Sequence, residues 1–209
     1  MGAAPTSDSA AQNTSRSYTD GGRRRTVRDM TDRRVRALDP IAAAPEVGRW
    51  LSALDDGRVD TVGELREVTD DMLDLTPAGA PNSIGTLLYH VALIEIDWLL
   101  VDILGLTRAG VSWPEHLVPF DDRDGEGTLT VVHGETLATH LDRLASVRAM
   151  VHEHLGAMSV EDFHTLRPGE QQDATPAWVL HHLLQHEAEH RAHIAWVRDA
   201  ILGRLGGPS

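Results

Sequence analysis

Apolar residues recur every three or four positions in four long segments of the chain, and this period predicts amphipathic α-helices. The four segments are residues 45–68, 83–105, 135–155 and 176–203. Asn82 or Ser83 can cap the second helix, whereas Thr175 can cap the fourth and Pro176 then occupies its first position. A weak alternation of apolar and polar residues at 129–132 is the only hint of a strand.

The segments between and before these helices have a different composition. Residues 106–133 contain prolines, glycines and an acidic run at 121–124, and without a sustained period they predict a long crossover connection. Residues 1–36 are rich in Gly, Ser, Thr and Arg, with almost no large apolar side chains, so we expect a disordered tail. The predicted fold class is all-α: one four-helix bundle domain over residues 37–209 with a long crossover.

Charge is divided unevenly along the chain. Residues 1–36 hold eight arginines and four aspartates, a net charge of +4, which leaves −17 for residues 37–209. Because a body this acidic repels phosphate backbones, we expect no nucleic-acid partner. Met30 can also serve as a start of translation, so the sequence leaves open whether residues 1–29 belong to the native protein.

The chain contains no cysteine, which excludes disulfides, thiolate metal ligands and a nucleophilic thiol of its own. Its longest apolar runs are shorter than the roughly 20 residues of a bilayer span, and no apolar signal region follows the basic N-terminal segment. We therefore expect a cytoplasmic protein with no membrane partner. All nineteen basic residues are arginines, a bias that indicates a GC-rich genome.

Five of the twelve histidines lie between positions 181 and 193, in the fourth predicted helix. Since residues four apart share a helix face, His182, His186 and His190 form one stripe, which His193 extends, and two adjacent members can chelate one ion. A third ligand must come from another helix, and His90 in the apolar second helix is the candidate. The alternative is that His186 and His190 are surface residues and His90 is a core histidine bonded to a carbonyl.

Several other polar residues are candidates for supporting or surface roles. We expect five further histidines to be solvent-exposed: His133, His140, His152, His154 and His164. Four carboxylates lie in the helices that carry the candidate ligands and can orient the imidazoles or simply be solvated: Glu95, Asp97, Glu187 and Glu189. Arg123 and Arg191 are candidates for contacting an anionic substrate, although ion pairs within the acidic body are the favoured role.

Two motifs resemble the DinB-like superfamily. Residues 83–92, Ser-Ile-Gly-Thr-Leu-Leu-Tyr-His-Val-Ala, are similar to the family pattern SIG-x-L-x-x-H-x-A, and residues 182–191 are similar to H-x-x-x-H-x-x-x-H-R. Residues 119–124 also resemble metal-dependent members. The likeness covers most of residues 45–205.

The resemblance implies an up-down-down-up four-helix bundle with the metal ligands His90, His186 and His190. One difference from the family follows the last ligand, because Ala192 and His193 stand where Gly-Gln is usual. His193 can therefore be a fourth ligand, a supporting hydrogen-bond donor or a neutral substitution.

Three neutral imidazoles leave a divalent metal ion with an open coordination position, which is typical of a catalytic site. Zinc is the first choice, with nickel or iron as alternatives. Such an ion can activate a bound water or hold a thiol as its thiolate.

Some members of the DinB-like superfamily are thiol S-transferases or thiol-dependent isomerases that use bacillithiol, mycothiol or glutathione. The resemblance therefore implies a metal-dependent transferase that joins a low-molecular-weight thiol to a small electrophile. If the GC-rich genome is an actinobacterial one, mycothiol is the first thiol to try. The alternatives are a metal-hydroxide hydrolase, a thiol-dependent isomerase, and a non-catalytic metal-binding or small-molecule-binding protein. A homodimer is a further expectation, and the sequence indicates no catalytic residue beyond the metal ligands.

Overall fold

The computed structural model describes residues 19–20, 23–24, 36–108, 110, 112–169 and 172–205. The chain forms two compact units, Met1–Ala37 and Leu38–Ser209. In the first, the two-residue strands β1 (Thr19–Asp20) and β2 (Arg23–Arg24) pair in antiparallel fashion. Apart from these strands and Arg36, the tail predicted at residues 1–36 lies outside the described residues.

The described part of the second unit is helical, which confirms the predicted all-α class. Its elements in chain order are α1 (Pro45–Glu64), α2 (Asp70–Leu73), α3 (Ile84–Asp97), a π-helical segment (Trp98–Ile103) that continues α3, α4 (Leu137–Leu155), α5 (Val160–His164) and α6 (Pro176–Ile201). The strand suggested at 129–132 is wrong, since it contributes only an isolated bridge between Leu129 and Arg123. The short helices α2 and α5 were not predicted.

Side-chain caps mark where α3 and α6 begin. The Ser83 hydroxyl accepts a hydrogen bond from the Thr86 N–H at 3.2 Å, and the Thr175 hydroxyl accepts one from the Trp178 N–H at 3.1 Å. Each cap satisfies one of the donors that the first turn of a helix leaves unpaired. Both predicted caps are thereby confirmed, and Gly203 follows α6 with the positive φ of 67° that favours glycine.

Helix α3 lies at the centre of the second unit. It packs against α4 and α6, and α6 also packs along α1. Among the described residues one helical stretch, Ile84–Ile103, is long and apolar enough to cross a membrane, but 89% of its apolar window is buried inside the protein, as in the core helix of a soluble protein. The up-down-down-up order of the long helices stays a prediction.

A buried network of two arginines and two glutamates joins the four long helices. Arg58 of α1 lies 2.6 Å from both Glu95 of α3 and Glu187 of α6, and Arg148 of α4 lies 2.6 Å from Glu95 and 3.2 Å from Glu187. Burial raises the pKa of Glu95, but the two guanidinium groups outweigh this effect and the net pKa is lowered. Glu95 is therefore ionised and paired at neutral pH.

Candidate metal centre

Three histidine side chains from two helices converge on one point. The Nε2 atom of His186 is 3.1 Å from Nε2 of His90 and 3.1 Å from Nε2 of His190. One ligand atom from each of the three residues lies within 4.8 Å of the others, and His90 is buried while His186 and His190 are half-buried. The structure thus brings together the three histidines that were predicted as metal ligands.

The helices hold these rings by simple geometry. His186 and His190 are one turn apart on α6, so their ring centroids lie 4.4 Å from each other. Helix α3 packs against that face, which places the His90 ring 5.0 Å from His186 and 4.9 Å from His190. A site whose ligands come from two facing helices is a recurrent design in helical bundles.

A carboxylate from the crossover connection orients His90. Oδ1 of Asp122 lies 2.7 Å from Nδ1 of His90, and Oδ2 of Asp122 lies 3.3 Å from Nε of Arg123. Because the carboxylate accepts a hydrogen bond from Nδ1–H, we assign the tautomer that leaves the lone pair of Nε2 directed at His186. Burial raises the pKa of Asp122, but its hydrogen bond to His90 and the nearby guanidinium of Arg123 outweigh this, so the net pKa is lowered.

The neighbouring tyrosine anchors the crossover so that Asp122 can reach His90. The Tyr89 hydroxyl donates to the carbonyl oxygen of Phe120 at 2.6 Å and accepts from the Phe120 N–H at 2.8 Å. Tyr89 itself is buried, with the guanidinium of Arg143 5.0 Å from its ring centroid. Two consecutive residues of α3, Tyr89 and His90, therefore hold two adjacent parts of the connection.

The two α6 histidines are neutral at pH 7 and hence in the form that binds metal. Burial, together with the neighbouring imidazoles, lowers the pKa of His186 to about 3 and that of His190 to about 4. The lone pair assigned to His90 also points into this cluster, and among the described residues Nδ1 of His190 has no hydrogen-bond partner.

The donor set fits a divalent cation. Ligand atoms about 2.0–2.1 Å from a tetrahedral zinc ion are roughly 3.3 Å apart, and the two Nε2–Nε2 distances of 3.1 Å come close to that spacing. The three Nε2 atoms lie close together but carry too few protons to hydrogen-bond to one another. A bound cation would instead accept their lone pairs. Metal binding by these residues stays a prediction.

The other members of the histidine stripe have different surroundings. The ring of His182 stacks on Trp178 at 5.2 Å with an interplanar angle of 6°, and it lies 4.8 Å from the ring of Trp98. His193 is exposed, with its ring 5.6 Å from His190. Within the described residues, the group with metal-binding geometry contains neither His182 nor His193.

Most carboxylates proposed as orienting groups have other partners. Glu95 and Glu187 belong to the buried arginine network, Asp97 binds Arg108 at 2.6 Å, and Glu189 is exposed. The role falls instead to Asp122, which the sequence analysis did not select. A signal was present, because Asp122 lies in the segment 119–124 that resembles metal-dependent members of the DinB-like superfamily.

The remaining polar predictions divide into two groups. Arg123 pairs with Asp122, and Arg191 lies 3.7 Å from Asp60, so both have the ion-pair role that was favoured. His140 is 1% exposed, so its predicted surface position is wrong. The other predicted surface histidines are exposed, except for a half-buried His152.

A cavity of about 480 Å³ lies next to Asp122, the carboxylate that is hydrogen-bonded to His90, although none of the three histidines lines it. On the helical side it is lined by Leu93, Ile94 and Asp97, which follow His90 at the i+3, i+4 and i+7 positions and so share its face of α3. On the crossover side it is lined by residues that include Asp122, the hydrogen-bond partner of His90. The cavity is therefore the natural place for a small molecule to approach this site.

Residues 53–205 match the sequence profile of the DinB superfamily. The chain belongs to the DinB superfamily. This confirms the resemblance found in the two histidine motifs. A crystal structure described as that of a conserved protein from Enterococcus faecalis is similar to this DinB-superfamily protein, with 19% identity and a TM-score of 0.57 over 74% of this chain and 95% of that one. At this identity the likeness supports the fold alone, and no curated protein matches the chain.

Proposed function

We propose that this DinB-superfamily protein is a metal-dependent transferase that joins a low-molecular-weight thiol to a small electrophile. The observation that carries the proposal is the convergence of His90, His186 and His190, with His90 oriented by Asp122, which also lines a cavity of about 480 Å³. Family membership supports the metal dependence, and the reaction is our inference.

The protein residues contribute position and protonation state. Asp122 holds the proton on Nδ1 of His90, and burial keeps His186 and His190 neutral, so all three rings can offer Nε2 to a divalent metal. Zinc is the first candidate, with nickel or iron as alternatives. When bound, such an ion supplies the positive charge that favours the nucleophilic thiolate form of a thiol. A chain without cysteine must take that thiol from a cosubstrate.

The acidic cavity guides the choice of thiol. Four of its lining residues are carboxylates, and residues 37–209 carry a net charge of −17. Glutathione and bacillithiol bring carboxylates of their own, which this surface would repel. Mycothiol, whose sugar portion is uncharged, is therefore the first thiol to test. We further propose that the substrate is a small molecule and that the protein is a cytoplasmic homodimer without nucleic-acid or membrane partners.

The first experiment measures metal content in untagged protein purified without added metal. We expect about one zinc, nickel or iron ion per chain in the wild type and its loss in His186→Ala, with His193→Ala as the matched control on the same helix. Chelation should lower the melting temperature of the wild type and of His193→Ala, but not that of His186→Ala. Less than a tenth of an equivalent of metal, with no binding on titration with Zn²⁺ or Ni²⁺, would contradict the proposal.

A screen of the metal-loaded protein then separates the reaction classes. Consumption of mycothiol and an electrophile in equal amounts supports the transferase. Turnover without thiol would indicate a hydrolase, and turnover in which thiol is required but not consumed would indicate an isomerase. Stoichiometric ligand binding without any product would indicate a non-catalytic binding protein.

A further inference from the structure

The cavity that Asp122 shares with the candidate metal centre combines apolar walls with acidic groups. Its apolar lining comes from both α3 and the crossover: Leu93, Ile94, Trp113, Val118, Pro119 and Phe120. Two of these are aromatic, and Phe120 is 45% exposed although its backbone is held by Tyr89. A large exposed aromatic side chain at the edge of a cavity offers a face to a ligand.

The charged lining is strongly one-sided. It contains Asp97, Glu115, Asp121 and Asp122 against the single guanidinium of Arg108. Arg108 lies 2.6 Å from Asp97, and Asp122 is engaged by His90 and Arg123. Glu115 and Asp121 are both exposed, and neither has an ion-pair partner among the described residues. Two carboxylates thus remain to face a ligand.

We propose that this cavity binds its substrate through a positively charged group, an amine or a quaternary ammonium, carried on an aromatic or aliphatic body. Glu115 and Asp121 supply the opposite charge, and Trp113 and Phe120 supply aromatic faces, which attract cations. The same charges exclude carboxylates and phosphates. This inference rests on the proposed function for the use of the cavity as a substrate site, and it adds the chemical class of that substrate.

Three probes of similar size test the charge preference directly. Benzyltrimethylammonium is the cation, benzyl alcohol the neutral compound and phenylacetate the anion, and each is titrated into the zinc-saturated full-length protein by calorimetry. We expect the cation to bind about tenfold more tightly than the alcohol, with no measurable binding of phenylacetate. Equal or tighter binding of phenylacetate overturns the proposal.

Two double substitutions test whether the preference for the cation arises in the cavity. Glu115→Gln combined with Asp121→Asn should reduce the cation's advantage by about tenfold and leave benzyl alcohol binding within about twofold. Glu153→Gln combined with Asp142→Asn is the matched control, since it removes two exposed carboxylates from α4 that do not line the cavity. If the variant with Glu115→Gln and Asp121→Asn prefers the cation as strongly as the wild type does, the proposal is overturned.

The same titrations in His186→Ala keep this inference separate from the metal site. If both the zinc-loaded wild type and His186→Ala prefer the cation, the cavity proposal is supported independently of the metal content. A protein that binds one metal per chain but shows no cation preference retains its proposed function and loses only this inference.

Discussion

Asp122 and His90 are separated by 2.7 Å between carboxylate Oδ1 and imidazole Nδ1, although one lies in the crossover and the other in the most buried helix. The opposite nitrogen of the same ring faces His186 at 3.1 Å. This pairing makes the crossover part of the site, because the connection determines which nitrogen of His90 carries the proton.

Replacing Asp122 with Asn should weaken metal binding without abolishing it. An amide keeps the size of the side chain but loses the negative charge that makes the imidazole a better ligand, and loss of such a partner costs about 10- to 100-fold in affinity. Competitive titration of Zn²⁺ against a chromogenic chelator measures the change. Asp121→Asn removes a neighbouring charge that does not contact His90, so it is the control. Equal affinities of the two variants would contradict the assigned role.

Replacing Glu95 with Gln should destabilise the fold severely. The change leaves the half-buried Arg58 and the buried Arg148 with only one glutamate between them, and breaking a buried ion pair costs about 3–5 kcal/mol. Urea unfolding followed by circular dichroism gives the free energy of unfolding. The exposed Glu153 on α4 supplies the control, because Glu153→Gln should change this free energy by less than about 0.5 kcal/mol.

Two glycines of α1 should respond to alanine in opposite directions. A Cβ atom at Gly48 would lie 2.7 Å from the backbone nitrogens of Ile41 and Ala42, whereas nothing lies within 4 Å of one at Gly63. We expect Gly48→Ala to cost about 1–3 kcal/mol, and Gly63→Ala to stabilise by up to about 1 kcal/mol through its higher helix propensity. Thermal unfolding of both variants checks the sign, and stabilisation by Gly48→Ala would show that residues 41–42 can move aside.

The metal-free protein should lose stability as the pH falls below about 6.5. Burial lowers the pKa of His140 from 6.5 to about 4, so between these values the unfolded chain binds a proton that the folded chain does not. Stability from this residue is complete above pH 6.5 and is lost as the pH falls towards 4. Urea unfolding at pH 7.5 and 5.0 should show a smaller drop for His140→Gln than for the wild type. His154→Gln, exposed on α4, is the matched control, and equal drops in all three proteins would contradict the prediction.

Features that depend on local sequence could be predicted. Thr175 and Ser83 bond to N–H groups three residues away, so their caps follow from a few neighbouring residues. The stripe of His186 and His190 follows from helical periodicity, and the choice of His90 needed only an apolar helix with one imidazole. These three residues lie together because α3 packs on α6. The resemblance to the DinB-like superfamily implied this arrangement.

Features that depend on long-range contacts could not be predicted in this way. Asp122 reaches His90 because Tyr89 binds Phe120, a contact between residues 31 positions apart. Arg58 and Glu187 are 129 positions apart, so no periodicity in either helix reveals their ion pair. His140 looked like a surface residue because it is not part of the apolar stripe of α4. It is buried instead, and its ring nitrogens contact Glu135 and Arg143.

The π-helical segment after Asp97 can tolerate a change in the number of its residues. Its turns are closed by longer-range hydrogen bonds, such as the one from the Leu104 N–H to the Leu99 carbonyl at 3.0 Å, and so hold more residues than α-helical turns. Losing one residue within Trp98–Ile103 would restore ordinary α-helical pairing and leave the preceding helix unchanged. A deletion between Ser83 and His90 would instead rotate the imidazole by about 100° relative to the helix start. A residue can therefore be removed from this segment while the three imidazoles keep their register.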